Sequence, residues 1–187
     1  MRYLIGLLVT IGLLILLIVI IVQSGGKGTA PHPKKTLQSY SVTNAVARLT
    51  NDGPINAAQD HKQIQITVGQ NNVTIETITG YNNSVTYQQN YANTEAGYYN
   101  FLSALSHAGF TKSNPDPSLK NETGYCPLGN RYVLEFTQDG KKLVRSWATS
   151  CGKPATYLGA LSLTLTLFQN QVPDYNTLST QFLNPQH

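Results

Sequence analysis

Two cysteines, Cys126 and Cys151, are the only thiols in the chain, and they offer two kinds of chemistry. A catalytic cysteine needs a general base held beside it, whereas a pair of thiols in an oxidising compartment closes a disulfide. The interior histidines, His61 and His107, sit in no recognisable nucleophile–base signature, so the pattern favours the bridge. Zinc needs about four ligands at set spacings. His61 and His107 each stand alone, His32 lies in a Gly/Pro-rich stretch, and His187 ends the chain. Asp52, Asp60, Asp116 and Asp139 fall in turn-forming segments, where short carboxylates satisfy nearby backbone N–H groups. Gly25-Gly26-Lys27-Gly28 lacks the preceding strand and the spacing of a phosphate loop. No catalytic residue, metal ligand or cofactor site is predicted.

Eleven tyrosines are the other chemical resource. Tyr98, Tyr132 and Tyr157 fall at positions expected to face a core, where each hydroxyl needs one partner. Tyr81, Tyr87, Tyr91, Tyr99 and Tyr125 are expected to be partly exposed. Exposed tyrosines bring large apolar area to a protein or glycan contact at low entropy cost. Tyr81, Tyr87 and Tyr91 cluster around one predicted hairpin and form the candidate contact surface. Trp147 is expected to pack over the disulfide.

The elements that must position these residues are set by periodicity. Ser41 to Thr50 reads as a first strand, closed by the turn signal Asn51-Asp52-Gly53-Pro54. Ile64, Ile66 and Val68 alternate with polar residues, and after Gly69–Asn72 a second such strand carries Val73, Ile75 and Thr77. Ser84–Gln89 then places Val85 and Tyr87 on one face, completing an antiparallel meander. A helix starts at Asn93 or Thr94, with Glu95 favouring its positive end and Tyr98, Phe101, Leu102 and Leu105 at helical spacing. Ala108-Gly109-Phe110 ends it, with Gly109 free to adopt the left-handed conformation.

A proline-bearing loop leads past Cys126 to a second hairpin, Tyr132–Phe136 and Leu143–Trp147, turning at Asp139-Gly140. A Cys126–Cys151 bridge would join its open ends and stabilise the fold by about 3 kcal/mol through loop closure. Residues 158–172 fit two periods, an alternating strand or a helix stopped by Pro173; the helical face runs further, so helix is the expectation. The predicted class is α+β: an antiparallel sheet of four to six strands with two helices on one face, preceded by a transmembrane helix.

That segment is Leu4–Val22, nineteen residues without a charge, proline or amide. As a helix it would span about 28 Å, close to the ~30 Å hydrocarbon core of a bilayer. Signal-peptide apolar regions run to about 7–15 residues, so an uncleaved anchor is expected, with cleavage near Ser24 as the alternative. The organisation predicted is a transmembrane anchor (1–22), a flexible basic tether (23–36) and an extracytoplasmic domain (37–187).

The net charge of +4 belongs to the membrane flank. Residues 1–36 hold Arg2, Lys27, Lys34 and Lys35 and no acid, while residues 37–187 hold nine basic and nine acidic side chains. A neutral domain argues against a nucleic-acid partner, which needs a basic face to displace counterions. Sidedness is contested within the sequence. The lysines after the span place the domain in the cytoplasm by the positive-inside count. Against that stand the cysteine pair and a charged fraction of only 12%, with Asn, Gln, Ser and Thr supplying the polarity. Composition carries the greater weight, because long domains translocate despite flanking charge.

The meander, the helix ending Ala108-Gly109-Phe110, the hairpin from Gly129-Asn130-Arg131-Tyr132 to Trp147, Ser150-Cys151-Gly152 and Gln171-Val172-Pro173-Asp174-Tyr175 carry a resemblance. Together they resemble a group of small bacterial single-pass membrane-anchored proteins of unknown function. The resemblance implies a bacterial cell-envelope setting at the cytoplasmic membrane and supplies no activity or site residue. The expected function is a non-enzymatic binding or envelope-structural module with a protein or glycan partner; the alternative is an extracytoplasmic hydrolase or hydrolase inhibitor.

Overall fold

The computed structural model describes residues 35–114 and 116–183. The chain divides into two units, Met1–Lys35 and Thr36–His187, and the second holds every described strand and helix. The expected transmembrane segment lies outside the described residues. Among the described residues, no helix is long and apolar enough to cross a membrane.

Six strands form one antiparallel sheet: β1 (Ala45–Asp52), β2 (Lys62–Val68), β3 (Asn72–Thr79), β4 (Ser84–Ala92), β5 (Arg131–Gln138) and β6 (Lys141–Thr149). Their order is β4-β3-β2-β1-β5-β6, so the meander β1–β4 and the β5–β6 hairpin join through β1 and β5. Direct partners in an antiparallel pair share a face. Leu49 is paired with both Ile66 and Leu134, and Ile66 with Ile75, so one apolar row crosses four strands. The alternation read in the sequence therefore becomes one buried face.

Three α-helices lie among the described residues: α1 (Glu95–His107), α2 (Leu161–Gln169) and the short α3 (Tyr175–Leu183). Tyr98, Phe101, Leu102 and Leu105 of α1 and Phe168 of α2 join the strand row in a single core. Thr94 is the N-cap, its hydroxyl accepting from Gly97 N. Asn93 sits one residue earlier and ties the entry to the sheet by donating to Gly69 O at 2.7 Å. At the other end Gly109 takes φ 79° and Phe110 N donates to Leu105 O, the expected left-handed stop. The helical reading of residues 158–172 holds for α2, and its apolar spacing faces inward: Phe168 and Val172 are buried, and Leu161 and Leu165 pack against the core. Thr164 is fully buried there, hydrogen-bonded at 2.6 Å to the Tyr157 hydroxyl, while Leu158 and Leu163 are exposed. A polar side chain can occupy a core position when a partner waits for it.

Two further expectations are corrected. The Asn51-Asp52-Gly53-Pro54 turn begins two residues later than its composition suggests. Both Asn51 and Asp52 remain in β1, paired with Tyr132 and Arg131 on one side and Ile64 and Gln63 on the other. Val85 and Tyr87 do not share a face. Thr77 pairs with Tyr87 and Ile78 with Val85, so Thr86 is an extra residue in β4. A β-bulge of this kind reverses the alternation around it.

The second sheet face is covered only in part. Trp147 lies there, fully buried, its indole N–H donating to Leu119 O at 2.9 Å and its ring stacked on Tyr125 with centroids 5.1 Å apart. The loop between α1 and β5 therefore folds back across β5 and β6. Over β1–β4 this face stays open and polar, with Arg48, Gln65, Thr74 and Asn90 on it.

Candidate functional site

The Cys126–Cys151 disulfide is formed, across a sequence separation of 25. It closes the open end of the β5–β6 hairpin, as the spacing predicted. Gly129 packs so close beneath it that a Cβ there would fall 2.6 Å from Cys126 Sγ. Ile55 N donates to Pro127 O at 2.7 Å, so the bridged loop also grips the β1–β2 connection.

That connection carries a cluster that sequence reasoning missed. Asp52 ends β1, His61 precedes β2 and Arg131 opens β5. Arg131 Nε donates to Asp52 Oδ2 at 2.8 Å, and its Nη2 reaches the same oxygen at 2.7 Å. His61 Nε2 lies 2.8 Å from Asp52 Oδ1. His61 Nδ1 faces the Pro54 carbonyl oxygen at 2.9 Å, and Arg131 Nη2 donates to Gly53 O. The Gln63 amide nitrogen also lies 3.3 Å from His61 Nε2. His61 is fully buried and Arg131 nearly so. The arrangement leaves neither ring nitrogen free to take a proton from a substrate. Its evident work is to pin residues 53–61 to three strands. Sequence separations of 9 and 79 residues from Asp52 gave no local signal for it.

Tyr81 is fixed on top of this cluster. Its ring stacks on His61, centroids 4.2 Å apart and planes 16° from parallel. Its hydroxyl donates to Asn56 O at 2.8 Å and accepts from Asn56 N at 3.1 Å. The residue nonetheless remains 52% exposed. It lines an open hollow of about 650 Å³ with Gln59, Thr79, Asn82, Ser84 and Thr86. Every side-chain polar group named there is an uncharged hydroxyl or amide.

Tyr87 and Tyr91 are elsewhere. Both project toward the helix side of β4, half-buried against the core, with Tyr87 against the Phe182 ring at 4.7 Å. Partial burial, then the neighbouring Tyr87 and Asp174, push the Tyr91 hydroxyl pKa above its ordinary value. The structure thus separates Tyr81 from the other two members of the predicted surface.

A second hollow of about 330 Å³ lies over β1, β2 and β5, where Thr50, Gln65, Glu135, Lys142 and Arg145 meet. Its charges neutralise one another. Lys142 Nζ sits 2.5 Å from Glu135, and Arg145 Nη2 sits 2.6 Å from Glu122. Among the described residues, no three His, Cys, Asp or Glu side chains gather to hold a metal ion; His32 and His187 lie outside them.

The fold and these sites define a disulfide-closed α+β domain with one partly open sheet face. No family model matches the chain, and no curated protein matches it in sequence.

Proposed function

We propose that the chain is a non-enzymatic cell-envelope module, held at the cytoplasmic membrane by residues 4–22. Its domain works outside the cytoplasm and binds a neutral glycan at the Tyr81 hollow. The observation that carries the glycan reading is that Tyr81 is exposed and yet immobilised. A stacked histidine on one side and two hydrogen bonds at the hydroxyl remove the freedom that binding would otherwise have to remove. An aromatic face rimmed by hydroxyls and amides suits a sugar ring, which presents C–H groups on one face and hydroxyls at its edge. Acidic or basic ligands would find no opposite charge among the hollow's lining residues.

The Cys126–Cys151 bridge supports the extracytoplasmic assignment, because disulfides persist in oxidising compartments. The neutral balance of residues 37–187 supports a partner other than nucleic acid. The hydrolase alternative gains no support from His61, whose nitrogens are both engaged.

The test is binding of the full-length protein, in detergent, to isolated cell-wall glycan and to soluble neutral oligosaccharides. Tyr81→Ala should weaken binding by about tenfold or more, corresponding to a lost aromatic contact. Equal binding by wild type and Tyr81→Ala would defeat the reading. So would retention on charged polymers alone. Labelling of cysteines on intact cells by an impermeant reagent, only after external reduction, checks sidedness.

A further inference from the structure

We infer that the free edge of β4 pairs antiparallel with β4 of a second copy of this chain, joining two six-stranded sheets across a two-fold axis at Gln89. The argument starts from the backbone. Asn93 N donates to Asn71 O, so position 93 hydrogen-bonds toward β3, and strand alternation sends the N–H and C=O of Gln88, Asn90 and Ala92 outward. Among the described residues nothing pairs with them. An open strand edge is a template for another strand, and folded proteins usually blunt it with lysine, proline or a covering segment. Within Ser84–Ala92, Ser-Val-Thr-Tyr-Gln-Gln-Asn-Tyr-Ala, there is no charge and no proline. Its bulge at Thr86 lies near one end and leaves Tyr87–Ala92 regular.

The side chains select the occupant. With the axis at Gln89, Gln88 stands opposite Asn90 of the copy, Tyr87 opposite its Tyr91, and Gln89 opposite itself. Amide meets amide and tyrosine meets tyrosine, and no charge is left without a counterpart. In that register the outward-facing Gln88 and Asn90 form the hydrogen-bonded pairs. A charged peptide would find no complementary charge along this strand.

The opposite edge explains why assembly stops at two. β6 carries Lys141, Lys142 and Arg145, which would confront their own copies. Part of its outer edge is already occupied, since Thr156 N and Tyr157 N both donate to Trp147 O. An isologous contact through one edge closes as a dimer rather than growing into a fibre. The inference concerns the folded domain alone and holds independently of the glycan reading.

Full-length protein in detergent is compared by analytical ultracentrifugation as wild type, Gln89→Lys, Gln89→Glu and an equimolar mixture of the two variants. Gln89 is exposed, so neither substitution removes a buried contact. The wild type should be dimeric. Each variant alone should dissociate at least about tenfold more readily, and the mixture should recover the dimer. Gln89→Cys should form an intermolecular disulfide on mild oxidation, while Gln65→Cys on the polar face should not. A monomeric wild type overturns the inference. A dimer that survives both charge variants is held elsewhere, through the N-terminal segment or another face, and overturns it equally. Failure of the mixture to recover the dimer rules out this register.

Discussion

The two edges of the sheet are built from the same backbone geometry and finished in opposite ways. β6 is short of free hydrogen-bonding groups near Trp147, carries three cations, and is followed at once by Cys151, whose partner anchors the loop lying over it. β4 has no charge and no covering chain among the described residues, and its only support beyond β3 is packing of Tyr87 and Tyr91 on the helix side. One side of the domain is closed by covalent and ionic links that leave little for a partner to do. The other keeps its main-chain donors and acceptors available. The contrast teaches that the free edge is a feature of position: an exposed strand costs little in solvent and becomes useful when a second strand arrives.

The comparison can be broken most forcefully at Arg131. Arg131→Met removes the guanidinium from Asp52 and Gly53 and leaves a carboxylate beside a single histidine at a nearly closed site. Loss of one partner from a buried pair costs about 3–5 kcal/mol, which denaturant unfolding would read as a lower midpoint. Next in size is the double substitution Cys126→Ser with Cys151→Ser. It should cost about 3 kcal/mol and expose Trp147 enough to red-shift its fluorescence. Hydrogen exchange should then accelerate in the loop before β5 and remain unchanged in β2 and β3. If exchange rose equally across the whole sheet, the division into a locked side and an open side would be wrong.

Gly129→Ala should destabilise by about 1–3 kcal/mol, because the new methyl group meets the disulfide sulfur at 2.6 Å. A milder loss, about 1 kcal/mol, is expected for Tyr87→Ala on the open side, where the ring is only half-buried. Its local signature would be faster amide exchange in α3, which carries Phe182. The smallest effect at neutral pH comes from titration. Burial pushes Tyr98, Tyr157 and Tyr175 above the ordinary tyrosine value of 10.0. The folded state therefore holds these protons when the unfolded chain has released them. Their contribution is fully present below about pH 10 and is lost as pH rises beyond it. A stability profile flat from about pH 9 to pH 11 would contradict that burial.

How much was legible in the sequence depended on how local each signal was. The α1 boundaries were readable because Thr94, Glu95 and Gly109 act on backbone within a turn of themselves. The hairpin at Asp139-Gly140 was readable for the same reason: both residues adopt positive φ, at 49° and 77°, which few other pairs tolerate. The bulge at Thr86 left no trace, since threonine is as acceptable in a regular strand as in a bulged one. The buried Thr164 read as the polar side of an amphipathic pattern, because its partner Tyr157 is held in place by the fold. Tyr81, Tyr87 and Tyr91 looked like one group by proximity in sequence, and the bulge together with the β3–β4 turn parted them.

By itself, then, the order of residues determined the α+β class, the ends of α1, the β5–β6 hairpin and the cysteine pair, because each rests on periodicity, local capping or the chemistry of a residue type. Only the tertiary structure decided that Asp52, His61 and Arg131 meet and that Tyr81 is clamped over them. It also decided that the sheet has one partly covered edge, at β6, and one open one, at β4. Those outcomes depend on which strands become neighbours. Strand order is set by the summed burial of one face, a quantity spread over many residues and written in no single segment.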